Sequence, residues 1–195
     1  MTLTFRQFLD NERGVASMEL VILFPLFLLI LLGLLEVYVF FRTVAIIDRT
    51  AFELGNLVAE KAVLIDSNAG TDANQIGIFW VVAPQLAQPL DLKDNGEVII
   101  TDIEDAGNGQ PAIAWQRAVS GWGSGDASRL SAAAPLPAGF PFYTGDNTIV
   151  VEVFYHFSPF NAARTFWPDA PGNITLYRRV YFRPRFQNLD SLQPG

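Results

Sequence analysis

The chain has 195 residues, enough for one membrane anchor and one modest domain. Its formal net charge is −7, with a pI near 4.6, and so acidic a surface repels phosphate backbones, which argues against a nucleic-acid partner. It has no cysteine and a single histidine, His156, which excludes disulfides, thiol catalysis and cysteine- or multi-histidine metal sites.

A short polar leader ends in Arg13-Gly14, and Val15-Ala16-Ser17-Met18 separates that glycine from a lone acidic residue, Glu19. Leu20 to Leu35 then reads LVILFPLFLLILLGLL, without one charged or hydrogen-bonding side chain. Glu36 interrupts the run and Val37 to Phe41 extends it. A helix needs roughly 20 apolar residues to cross the hydrocarbon core, and apolarity on every face argues against a helix lying on the surface. A secretory signal would have a shorter apolar core and a small-residue cleavage site after it. Here the run passes into Glu36, aromatic residues and Arg42 instead, so it reads as a retained anchor. Pro25 is expected to bend or locally break the helix. Lys and Arg nearly balance across the two flanks, so charge leaves the orientation open.

The glycine-ended leader, Glu19 five residues later and the apolar helix behind it resemble the processing site of type IV-like prepilins. More specifically, Glu19-Leu20 followed by VILFPLFLLILLGLLE is similar to the TadE/TadF-like minor pseudopilins of tight adherence (Flp) pili. The segments TIVVEVFYHFSP and ITLYRRVYFRPR resemble the paired segments that close many of these proteins. The resemblance implies cleavage after Gly14 by a prepilin peptidase, leaving Val15 as the new N-terminus. It implies a cytoplasmic leader (1–14), a transmembrane helix (15–41) in the bacterial inner membrane and a periplasmic domain (42–187). The partners it implies are the peptidase, other pilins or pseudopilins, and the assembly platform. Glu19, one helical turn from Val15, would then pair with the freed amine of its own or a neighbouring chain, lowering the cost of either charge in lipid. Glu36 lies about 25 Å farther along a helix. It is expected to mark the outer membrane surface, with contact to a basic group of a partner helix as its other reading.

Beyond the anchor, Val44, Ile47, Ala51, Leu54, Val58, Ala62 and Ile65 step by three or four. That pattern predicts one long helix continuing to Leu64, stopped by the breakers from Asp66 to Gly70. Asp72 to Gln88 reads as a second helix, with Asp72 as N-cap and Pro84 bending or ending it. Glu97–Ile103, Ala112–Val119, Thr148–Phe157 and Ile174–Arg183 are rich in β-branched and aromatic residues and bounded by turn formers, so four antiparallel strands are expected. The fold class is therefore α+β: a long helix, membrane-spanning in its first half, carrying a small head with a second helix and a sheet. Gly121 to Pro141 is a long loop whose length points to function or mobility. Residues 188–195 are expected to form a flexible tail.

No constellation for catalysis stands out, so the domain is expected not to be an enzyme and to need no cofactor. His156 reads as a structural strand histidine, because nothing marks a serine and an aspartate as its partners. Asp91 to Glu97 partly mimics a calcium loop, but Lys93 sits where a carboxylate belongs, so a hairpin or strand-entry turn is expected and no metal site. Asp126-Ala127-Ser128-Arg129-Leu130 approaches a metal-dependent adhesion pattern, with Leu130 in place of its second serine. The other class of function open to the sequence is an uncleaved signal-anchored envelope protein whose domain binds a ligand or partner.

Overall fold

The computed structural model describes residues 12–160, 164, 167–169 and 172–195, with side chains described from residue 18 onward. The first eleven residues of the leader lie outside the described residues. Compact units divide at Phe41/Arg42.

Helix α1 spans Glu12–Ala59 and runs through Pro25 without interruption. From Met18 to Phe41 its apolar side chains are exposed or at most half-buried. The stretch Met18–Ala59 is long and apolar enough to cross a membrane, and its most apolar window buries nothing against the rest of the chain.

In the second unit, Ile47, Ala51, Leu54 and Val58 of α1 are fully buried, as their spacing predicts. Each large aliphatic side chain so buried contributes about 1.5–3 kcal/mol. The helix stops at Ala59, five residues short of the expected Leu64. Its end is tied by distant segments rather than by the breakers at 66–70: the Arg185 N–H donates to the Ala59 carbonyl at 2.9 Å, and the Gln187 side chain donates to that of Ala62. Those bonds occupy carbonyls that a helix end leaves without partners. Ala62, assigned by periodicity to the apolar face, is consequently exposed. Ile65–Asp66 forms strand β1, not helix.

Helix α2 covers Gly77–Leu86, starting five residues later than expected. Asp72 does not cap it. Its carboxylate instead accepts the Asn74 N–H at 2.7 Å, while the Gln75 side-chain oxygen takes the N–H groups of Thr71 and Asp72. These bonds close a turn that competes with helix for the same residues. Pro84 lies inside α2 and does not end it. Gly77 is required where it stands, because a Cβ there would meet the Asn68 carbonyl carbon at 2.4 Å. The single turn α3, Leu92–Asn95, follows, with Asp91 as its N-cap accepting the Asp94 N–H at 3.3 Å. This is the expected strand entry.

Strands β2 (Gly96–Asp105), β3 (Pro111–Ala118), β4 (Asn147–Phe157) and β5 (Ile174–Phe182) form one antiparallel sheet in the order β3-β2-β4-β5. Its register sets Val98 opposite Val153, Ile100 opposite Val151 and Asp102 opposite Ile149. Because side chains alternate across a strand, Val98, Ile100, Val151 and Val153 join α1 and α2 in the main core, whereas Ile103 and Val150 turn to a smaller cluster with Leu130. Gly55 lets β5 close on α1: a Cβ at that position would fall 2.5 Å from the Phe182 ring.

Residues 188–195 are seated, in contrast to the expected flexible tail. Gln193–Pro194, strand β6, pairs in parallel with β1, and Leu189 is buried beside Trp115. Periodicity over eight residues is too short to register two leucines, Leu189 and Leu192, packed into a core.

Candidate functional site

Among the described residues, polar groups stand where apolar ones would be expected in more than one place. The first is α1. Gly14 and Val15 fall within it, although the Val15 side chain lies outside the described residues. Glu19 is exposed and stands four positions after Val15, the spacing that brings residues onto neighbouring positions of one helix face. Glu36 is half-buried and engaged in an interaction within the chain. Glu19 and Glu36 bracket the uncharged apolar run of one continuous helix, about 25 Å apart along its axis.

The second is the sheet face turned away from α1, covered by the long loop between β3 and β4. Glu152 of β4 is fully buried there. Its carboxylate accepts the Ser128 hydroxyl, the Arg129 N–H at 3.1 Å and the Tyr177 hydroxyl at 2.6 Å. Burial, and then the Glu152 carboxylate it serves, push the Tyr177 phenol up, so it remains a donor. The Arg129 guanidinium lies 4.2 Å from the centre of the Tyr177 ring, a cation–π contact over the same knot. Two residues farther along the loop from this knot toward its start, Asp126 meets His156 at 2.8 Å. Glu97 of β2 is also buried; burial, with Asp126 as a nearby like charge, pushes its carboxyl up to about 7, against a lowering by the Gly125 N–H.

The structure thus gives His156 an aspartate partner that no sequence pattern marked. Ser128, the serine of the adhesion-like segment, donates its hydroxyl proton to Glu152, so these residues serve as loop anchors and not as a Ser–His–Asp relay. The signal for Glu152 was present in the sequence. A carboxylate in the middle of the apolar strand VVEVF must be buried with donors around it, or the strand would not pair centrally. Its donors come from 23, 24 and 25 residues away, beyond the reach of any local pattern.

A further carboxylate closes the other end of the sheet. Asp105 accepts the N–H groups of Gly107 and Gly109, both at 2.9 Å, and of Gln110 at 3.1 Å in the β2–β3 turn, and of Gly145, also at 2.9 Å, from the end of the long loop. These bonds, that from Gly145 foremost, hold its carboxyl below the usual carboxylate range.

A helix long and apolar enough to cross a membrane, followed by an α+β unit, fits a single-pass membrane anchor with a head. Residues 14–54 are similar to the family of TadE-like proteins, and the match supports a protein related to the tight adherence pilus system. The matched stretch begins at Gly14 and ends at Leu54 in the buried part of α1. Comparison with curated proteins and with solved structures finds no match to the chain.

Proposed function

We propose that this protein is a minor pseudopilin that takes part in priming or capping tight adherence pili. A prepilin peptidase cuts after Gly14, and the mature chain is held in the bacterial inner membrane with residues from about Arg42 onward in the periplasm. It works by helix–helix packing of residues 15–41 against other pilins and the assembly platform, and performs no chemistry of its own. The observation that carries this reading is the placement of the TadE-like match. It starts at the glycine that precedes the proposed cut, and it contains Glu19 one turn beyond Val15 and the entire apolar run. After cleavage the Val15 amine carries a positive charge at the lip of a low-dielectric medium, and an exposed Glu19 is placed to neutralise it within one chain or between two.

N-terminal sequencing of the membrane form tests the cut: Val15 is the expected first residue, and a retained Met1 favours the uncleaved, signal-anchored envelope protein. The variant Glu19→Ala is expected to insert into the membrane at the parental level while pilus assembly drops. Normal pili from that variant would remove Glu19 from the mechanism.

A further inference from the structure

Leu189, in the last eight residues, is bonded to the sheet beside a buried titratable group. Asp102 sits in β2 with no exposed surface, and its Oδ1 has no hydrogen-bond partner. Its Oδ2 accepts from the Asn147 amide at 2.8 Å. The same Asn147 uses its oxygen to accept the Leu189 N–H at 3.5 Å. On the other side of Asp102, its β3 neighbour Trp115 donates its indole N–H to the Leu189 carbonyl at 2.6 Å. Leu189 is therefore clasped, N–H and C=O, by Asn147, whose side chain bonds Asp102 from β4, and by Trp115, paired with Asp102 on β3. Beyond it, the Gln193 N–H bonds the Leu64 carbonyl at 2.8 Å, and β6 lies on β1. Leu189 and Leu192 of this segment pack into the core beside the clasp.

We propose that the C-terminal segment 188–195 is a latch governed by the protonation of Asp102, closed while that carboxyl is neutral and loosened when it ionises. The charged groups that Asp102 feels are both acidic: Glu104 in its own strand and Asp190 in the latch itself. From β3 and β4 it meets the uncharged Trp115 and Asn147. Among the described residues no cation stands against it, so ionisation places a negative charge in a dry site and directly repels the latch through Asp190. Burial foremost, with these two carboxylates adding to it, pushes the Asp102 carboxyl up to about 7. With the latch open, the carboxyl regains water and its usual acidity. The closed state therefore holds the proton that the open state releases. Latch stability is complete below the ordinary carboxylate range, falls as pH rises from there, and has lost this contribution above about 7.

Amide hydrogen exchange of segment 188–195, read by mass spectrometry on the full chain in detergent micelles and corrected for the intrinsic effect of pH, tests the latch. From about pH 5 to about pH 7 protection is expected to fall by up to ~tenfold per pH unit, and to level off above that. Asp102→Asn is expected to keep the segment protected at every pH. Asp190→Asn, at an exposed position, is expected to move the midpoint to lower pH, because it removes one of the charges that hold the Asp102 proton. Glu97→Gln removes the other carboxyl that titrates near neutrality and is expected to leave the profile of this segment unchanged. A wild-type segment whose protection ignores pH, or an Asp102→Asn protein with the wild-type profile, overturns the proposal. Should Asp102→Asn fail to fold, an unmoved midpoint in Asp190→Asn overturns it instead.

Discussion

Between Leu20 and Phe41, helix α1 turns apolar side chains outward on every face, whereas from Thr43 to Ala59 it buries one stripe and leaves Asp48, Arg49 and Phe52 outside. The backbone is the same continuous helix in both stretches. What changes is the medium for which the side chains are suited. The first stretch is apolar on every face, and lipid is the solvent that suits such a surface. The second is amphipathic and takes its stability from the sheet and α2. A helix assignment alone would not separate them; the arc occupied by apolar residues does.

The largest expected effect breaks this comparison most directly. Leu54→Ala removes a fully buried side chain from the main core and is expected to destabilise the head by about 3–5 kcal/mol. Leu28→Ala, in the exposed stretch, is expected to leave head stability unchanged. Denaturant unfolding of the full chain in micelles, followed by tryptophan fluorescence, distinguishes the two, since all four tryptophans lie beyond Arg42. Equal losses in both variants would mean that the first stretch also packs on the head.

The sheet repeats the contrast between its two faces, and there the sequence was less informative. All four long strands stand within two residues of where alternation and turn formers put them, because period-two patterning is a local property. The buried stripe of α1 was legible for the same reason. The end of α1 and the seating of 188–195 were not, since each is decided by bonds from segments remote in the chain, Arg185 to Ala59 and Leu189 to Trp115; nor was the start of α2, where the Asp72 and Gln75 side chains close a turn in place of the first helical turn. In the candidate site, Glu19 and Glu36 were visible as acids bracketing an apolar run. The knot at Glu152 was visible only as an acid misplaced in a strand, since its donors come from the loop (Ser128, Arg129) and from β5 (Tyr177). Glu152→Ala leaves the Ser128, Arg129 and Tyr177 donors without their acceptor in a buried site, at an expected cost of about 3 kcal/mol. Proteolysis is expected to open the loop over 121–141 first in this variant. A loop as resistant as the parent's would mean that the apolar contacts of Leu130, Leu136 and Phe142 suffice to hold it.

The smallest effect is expected where α1 meets β5. Arg178 donates to Asp48, joining the amphipathic stretch of the helix to the edge of the sheet, with both side chains more than a third exposed. Water and salt screen such a pair, and holding two long side chains in one geometry costs entropy, so Arg178→Ala is expected to change head stability by less than about 1 kcal/mol. The neighbouring apolar contacts of β5 with α1, Phe52 against Phe182 at 5.2 Å and Phe182 over Gly55, remain in that variant. Gly55→Ala tests those contacts at the same junction and is expected to cost more than Arg178→Ala, because its methyl would have to displace the ring. The reverse order in the unfolding assay would assign the helix–sheet junction to charge rather than to packing. The rule that separates the two stretches of α1 would then not extend to the edge of the sheet.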